Sequence, residues 1–284
     1  MIKTSLLLEQ HIHGAFGIDF NNCSVEDMHK VAKKLLEHGI GAFFPTLVTD
    51  SIKNIKKQIA IIKEASKDCP QIKGIHIEGI FINPEKKGIH NPKYFMELTV
   101  NNYKLIEDDF IKIVTLAPEL DNGLIEYLKA KDVKVQAGHC TGWGNVDGTT
   151  HTFNTMPAIN HRSPSTTLSA LINDNIYTEI IADGIHVSDD ALKLLFKSKP
   201  EDKIILISDA LPITKSNLTE TIFADSKIYY DGEKATSKEG TIAGSTALLD
   251  DIVKRLISLN LFNPKYVENA WRYHNLEPEG ELSW

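Results

Sequence analysis

The chain has 284 residues, 42% of them hydrophobic and 24% charged, which supplies a large apolar core and excludes a disordered chain. Its formal charge of −7 argues against broad attraction to nucleic acid or to an anionic membrane surface, although a phosphate can still bind locally. The segment Met1 to Leu8 runs straight into Glu9 and two histidines, too soon for a signal sequence, and no apolar run is long enough to span a bilayer. A cytoplasmic protein is the expectation. Cys23, Cys69 and Cys140 are widely spaced and form no CxxC, which fits reduced thiols.

Taken in chain order, apolar stretches at Ser5 to Leu8, Gly41 to Phe44, Lys73 to Ile77, Ile111 to Leu116, Val133 to Ala137, Tyr177 to Ala182 and Lys203 to Ile207 read as strands, with Thr149 to Thr152 as a short additional one. Helices alternate with most of them. Ser24 and Asp27 have capping-box spacing at the start of a helix that Gly39 closes. Ile52, Ile55, Ile59 and Ile62 mark one face of a second helix. Further helical segments are expected around Gly123 to Lys131, Ser188 to Lys197 and Ser245 to Leu259. Eight strands alternating with helices in a chain of this length predict a single (β/α)8 TIM-type barrel domain over residues 1–284, which typically needs about 250 residues. A doubly wound open sheet is the alternative, and the glycine-rich nucleotide loop expected of it is missing. Tyr229 to Lys238, with Asp231-Gly232 between β-prone stretches, reads as a hairpin in an insertion near 222–240.

Chemistry concentrates at the predicted strand ends. Residues two apart on a strand share a face, so His11 and His13 can aim two imidazoles at one ion. Such a pair also occurs on solvated strand faces and is a weak signal alone. Here Glu78, His139, His151 and Asp209 each follow an apolar run as well, and a barrel gathers those ends on one rim. Cys140 neighbours His139 but faces the other way, which favours a structural role.

Several segments resemble, in order, the N-acetylglucosamine-6-phosphate deacetylase family of the amidohydrolase superfamily: His11-Ile-His-Gly14, Glu78-Gly-Ile-Phe-Ile-Asn-Pro84 with Lys87-Gly-Ile-His90, Thr115-Leu-Ala-Pro-Glu119, Gly138-His139, Thr150-His-Thr-Phe-Asn-Thr-Met156, Asp183-Gly-Ile-His186, Ser208-Asp-Ala210 and Gly240-Thr-Ile-Ala-Gly-Ser245. The resemblance runs from about residue 11 to 255. It implies that Glu78, His139 and His151 hold one divalent ion and that His11 and His13 hold a second one shared through Glu78, whereas relatives without the HxH pair use a single ion. Zinc suits these ligands, as do Fe2+, Mn2+ and Co2+. Asp209 matches the family's catalytic aspartate, which takes a proton from the attacking water and passes it to the leaving amine. His90 matches a histidine that polarises the amide carbonyl or steadies the oxyanion.

The same resemblance assigns Asn154, Thr155 and Arg162 to the sugar 6-phosphate, with Arg162 reaching in from a neighbouring subunit, so that a homodimer is implied. It places Asp183, Gly184, Ile185 and His186 at the bound sugar phosphate, and Ile89 with Ile242, Ala243 and Gly244 along the sugar pocket. Glu119 falls to a supporting role. The reaction implied is removal of the acetyl group from N-acetylglucosamine 6-phosphate. N-acetylgalactosamine 6-phosphate or another acylated amine is the neighbouring alternative, and a barrel that binds metal or sugar phosphate without turnover is the alternative of a different class.

Two departures from the family pattern stand out. Relatives carry a small β-sandwich built from residues flanking the barrel, and here it is expected to be missing. The segment Cys140 to Thr150 is shorter by about two helical turns than a crossover helix requires, so one flank must be covered by Trp143, by another subunit, or not at all. Thr152 and Thr155 also replace apolar residues of the family motif.

Overall fold

The computed structural model describes the whole chain, Met1–Trp284. Eight parallel strands make the central sheet: β1 (Leu7–Ile12), β2 (Ile40–Val48), β3 (Ile75–Glu78), β4 (Ile111–Leu116), β5 (Lys134–Ala137), β6 (Gly148–Thr149), β7 (Tyr177–Ile180) and β8 (Ile204–Leu206). Each pairs with its successor in chain order. Between β1 and the residues after β8, a parallel bridge joins Ile12 to Ala210, and the Asp209 amide donates to the His11 carbonyl at 2.9 Å, drawing the sheet nearly closed. Sequential pairing of this kind is a TIM-type barrel and excludes the doubly wound sheet.

Both faces of these strands are covered, so their sequences are apolar runs rather than alternating ones. Strand β2, Ile-Gly-Ala-Phe-Phe-Pro-Thr-Leu-Val, is buried along its entire length. Helix α1 (Val25–Glu37) opens on the expected Ser24–Asp27 capping box, buries Met28, Val31, Ala32 and Leu35, and ends before Gly39, whose φ of +76° is a left-handed conformation that favours glycine. Helix α2 (Ile52–Ala65) turns Ile55, Ile59 and Ile62 inward. After them come α3 (Val100–Tyr103), α4 (Leu124–Lys129), α5 (Thr166–Ile172), α6 (Asp189–Ser198), α7 (Leu249–Ser258) and α8 (Lys265–Tyr273).

Helix α7 starts later than the sequence suggests because Ser245 is held in the loop geometry of the site, its amide donating to the Asp209 carbonyl at 2.9 Å. Helix α8 is anchored by the fully buried Trp271, whose indole N–H donates to the Leu6 carbonyl at 3.0 Å. Truncation of such a side chain typically costs about 3–5 kcal/mol.

No helix joins β5 to β6. Asp147 ties the two strands instead. Its carboxylate accepts from the Val135 amide at 2.9 Å, its own amide donates to the Val135 carbonyl at 2.8 Å, and its carbonyl accepts from the Tyr177 amide at 3.0 Å. Trp143 from the same loop packs, partly buried, against the core.

The region predicted as a hairpin lies within a four-stranded antiparallel sheet, β9 (Glu220–Phe223), β10 (Ser226–Tyr230), β11 (Ala235–Ser237) and β12 (Ile242–Gly244). Phe223, Ile228 and Ala235 of this sheet share a small core with Val48, Leu211 and Ile213, which seats it over the rim where the barrel strands end. Near the chain ends, Lys3–Thr4 pairs antiparallel with Leu282–Ser283, and Gly14–Ala15 pairs with Ile18–Asp19. Those ribbons, the barrel and the inserted sheet account for all the sheet in the chain, so no β-sandwich is among its elements. No helix is long and apolar enough to cross a membrane.

Candidate metal centre and active site

Strand geometry delivers six side chains to one point. His11 lies near the end of β1 and His13 just beyond it, Glu78 ends β3, and His139, His151 and Asp209 follow β5, β6 and β8. The Glu78 carboxylate sits between two pairs of imidazoles. One oxygen is 3.0 Å from His13 Nε2 and 3.4 Å from His11 Nε2, and the other is 2.8 Å from His151 Nε2 and 3.3 Å from His139 Nε2. Asp209 Oδ1 closes the first side, 3.3 Å from His11 Nε2 and 3.2 Å from His13 Nε2. All six residues are buried.

The backbone is bent to make this convergence. His139, His151 and Asp209 have φ values of +49°, +28° and +54°, left-handed conformations that cost of order 1–3 kcal/mol each and persist only where neighbours over-determine them. Two glycines make room. A Cβ on Gly79 would lie 1.9 Å from Thr49 Oγ1, and one on Gly244 would lie 2.9 Å from the Asp209 carbonyl oxygen, so no side chain fits at either place.

The chemistry of the donor set fits a divalent ion. A ligating histidine donates its second ring N–H outward, which fixes the tautomer and turns the other lone pair toward the ion. His13 Nδ1 lies 3.2 Å from the Thr46 carbonyl, His139 Nδ1 lies 2.8 Å from the Lys86 carbonyl, and His11 Nδ1 lies 3.1 Å from a Glu179 oxygen. Each therefore presents Nε2 to the centre. His11, His13, Glu78 and Asp209 bring one ligand atom apiece within 4.8 Å of one another, and Glu78 and His139 belong to a second such cluster with His90. These are buried metal-binding clusters of the kind amidohydrolases use.

Charge in the centre is strongly coupled. Burial pushes the Glu78 carboxyl up, but the charge on His11 and hydrogen bonds from His11, His13 and His139 outweigh it and hold the group well below the usual carboxylate range. Asp209 is lowered in the same way, burial being outweighed by His11 and His13. Against the pull of burial, Glu78 and Asp209 raise His11, and they bring His13 up to about 9. An ion competes with protons for these same lone pairs.

His90 is arranged differently. Thr49 Oγ1 accepts from the Ile80 amide at 3.0 Å and shares a 2.7 Å hydrogen bond with His90 Nδ1, which fixes the orientation of the ring. Burial, followed by the neighbouring His139, holds His90 well below its ordinary value. Its Nε2 faces the centre, 3.8 Å from a Glu78 oxygen.

A cavity of about 120 Å3 opens onto the centre. Of the residues proposed from sequence, His13, Glu78, Ile89, His90, His139, His151, Asn154, Thr155, His186, Asp209, Ile242 and Ala243 line it. His11 lies deeper, at 0% exposure. Asp183 stands behind His186, 2.7 Å from its Nδ1, and accepts from the amides of Ile185 and His186 at 2.9 Å each, while Gly184 lies against the guanidinium of Arg255. Gly244 is the close-approach point for the Asp209 backbone. Arg162 is brought to none of this: it is exposed, its amide donates to Asn160, and its side chain hydrogen-bonds only its neighbour His161. Cys140 is buried at 3.8 Å from Thr166 Oγ1, outside the clusters, and Glu119 accepts from Asn83 and Thr141.

Sequence reasoning missed the residues that hold the centre from within the barrel. Glu9 accepts from the amides of His11 and Ser208, and burial pushes its carboxyl up to about 8. Gln10, Thr49 and Glu179 were also overlooked. The available signal was a polar or charged residue set inside an apolar run, as in Tyr177-Thr-Glu-Ile-Ile181.

The amidohydrolase family model matches residues 7–252. The chain is 30% identical over 267 residues to the N-acetylglucosamine-6-phosphate deacetylase of Bacillus subtilis (strain 168), covering 86% of this chain and 67% of that one. It is 28% identical over 277 residues to the N-acetylgalactosamine-6-phosphate deacetylase of Escherichia coli O157:H7, covering 90% and 72%. The crystal structure of N-acetylglucosamine-6-phosphate deacetylase from Thermotoga maritima superposes with a TM-score of 0.90 at 26% identity, covering 96% of this chain and 79% of that one. The chain belongs to the amidohydrolase family, and within it to the group that holds the N-acetylglucosamine-6-phosphate and N-acetylgalactosamine-6-phosphate deacetylases, in a form shorter than those relatives.

Proposed function

We propose that this chain is a metal-dependent deacetylase that hydrolyses the acetamide of N-acetylglucosamine 6-phosphate to acetate and glucosamine 6-phosphate. The observation that carries the reading is the Glu78 carboxylate, set between the His11–His13 and His139–His151 pairs with Asp209 against the first pair. Glu78, His139 and His151 would hold one ion, and His11 with His13 a second one through Glu78, with Zn2+ the first choice for this donor set. A divalent ion there acts as a Lewis acid and makes water acidic enough to attack near neutral pH.

The chain's own groups supply the rest. Asp209, ionised and beside the ligands, takes the proton of the attacking water and returns it to the departing amine. His90, with Nε2 facing inward, donates to the carbonyl oxygen as negative charge builds on it. Asn154, Thr155 and His186 on the cavity wall receive the sugar phosphate, and Arg162 of a second copy completes its binding in a homodimer.

The test is acetate release from N-acetylglucosamine 6-phosphate and from its galacto epimer, after metal stripping and after separate return of Zn2+, Fe2+ or Mn2+. Metal-dependent release faster on the gluco substrate is expected. Faster release from the galacto epimer transfers the assignment to that sugar, and no release from either by folded, metal-loaded protein removes it.

A further inference from the structure

We infer that Glu179 is the positioning residue that sets how tightly the His11–His13 side of the centre holds its ion. The inference rests on the metal-dependent reading above and concerns a side chain that reading does not use. Glu179 lies on β7, with its side chain 1% exposed, in a barrel interior where branched apolar residues are the norm. A carboxylate is tolerated there only when its oxygens are paired.

Both are. Oε2 lies 3.1 Å from His11 Nδ1 and accepts from the His151 amide at 3.2 Å, and Oε1 accepts from Gln10 Nε2 at 2.6 Å. Gln10 is fixed in turn, because its side-chain Oε1 lies 3.0 Å from His274 Nε2. Every group in this chain has one possible direction of donation. An ionised carboxylate only accepts, so the proton of His11 must sit on Nδ1 and the Nε2 lone pair must face His13, Glu78 and Asp209.

Glu179 is also selective among the ligands. His13 and His139 donate to backbone carbonyls, and His151 Nδ1 is buried without a partner, so His11 alone leans on a charged acceptor. A carboxylate partner makes the stronger bond and the more basic ring. Glu179 therefore bears on the imidazole of His11 alone among the ligands, and meets His151 only through that residue's main-chain amide.

The experiment is a Zn2+ titration of metal-stripped protein against a chromophoric chelator, for the parent, for Glu179→Gln and for His11→Asn, with thermal melting of each stripped protein alongside. Glu179→Gln keeps the shape of the side chain and an acceptor for the His151 amide, so it remains informative even if Glu179→Ala fails to fold. The expected result is two ions in the parent, about 10- to 100-fold weaker binding of one of them in Glu179→Gln, loss of that same ion in His11→Asn, and melting within about 2 °C of the parent for Glu179→Gln. Unchanged affinity for both ions, equal weakening of both, or a parent that binds a single ion overturns the inference. Because metal binding is read directly, a protein that releases no acetate from either sugar phosphate removes the deacetylase assignment without touching this result.

Discussion

His186 shows how a single residue in this site ties pH to binding. Burial pushes its imidazole down, but Asp183, 2.7 Å away, outweighs that and raises it above its ordinary 6.5. Asp183 is correspondingly held at about 2, burial again being outweighed by His186. The sign follows from which form the fold prefers. The folded protein binds the His186 proton more tightly than the unfolded chain, so the stability it contributes is fully present below 6.5 and is lost as pH rises through the raised value. If His186 meets the substrate phosphate as an imidazolium, KM should stay low below that range and climb as pH passes through it. His186→Gln should show a raised KM that is flat across the same interval, with kcat little changed. A steep rise that persists in His186→Gln would place the titrating group elsewhere. The ligands around this residue were legible because a strand end followed by His, Glu or Asp leaves a visible break in an apolar run. Glu179 and Gln10 were not, since one polar residue inside a strand looks like noise until the barrel closes and shows that it faces inward.

At the scale of elements, the departure from a regular barrel is the link from β5 to β6. Its shortness was legible by counting residues between His139 and His151. What replaced the helix was not, because the answer lies in side chain to backbone bonds of one aspartate. Asp147 accepts from the Val135 amide and pairs with Lys129 at 3.0 Å, so Asp147→Ala removes the acceptor of a strand N–H as well as an ion pair that is partly exposed and worth little. A loss of about 1–3 kcal/mol is expected for the unsatisfied donor. That corresponds to a fall of roughly 2–4 °C in melting temperature per kcal/mol. Asp147→Asn, which keeps an acceptor oxygen, should recover most of it. Equal melting for all three proteins would show that the packing of Trp143 alone holds this flank. Helices α5 and α8 escaped the sequence reading for a related reason. The first is short and opens with two threonines, the second is rich in aromatic residues, and packing such as that of Trp271 overrides their modest helix propensity.

For the whole molecule, the barrel was legible from seven apolar runs and one short additional strand in alternation with helices, while the proposal of a homodimer rests on one arginine. The Arg162 side chain is exposed and hydrogen-bonds only its neighbour His161, whereas Asn154 and Thr155 from the same stretch of chain line the cavity. A guanidinium suited to a phosphate and absent from its own pocket is the arrangement expected if two copies exchange it across a two-fold axis. Hybrid dimers test this directly. Arg162→Ala should raise KM for the sugar phosphate far more than for its dephosphorylated analogue, and Asp209→Asn should lose about 100- to 10,000-fold in turnover while keeping its metal. Mixed in equal amounts and allowed to exchange subunits, the two weak proteins should regain activity, because a hybrid joins an intact Asp209 in one subunit to an intact Arg162 from the other. Random pairing makes about a quarter of the sites complete in this way. If each subunit used its own Arg162, every site in the mixture would carry one lesion or the other, and the activity of the mixture would stay at the mean of the two variants. Recovery therefore separates an arginine that crosses the interface from one that folds back onto its own cavity, a distinction that neither variant alone can make.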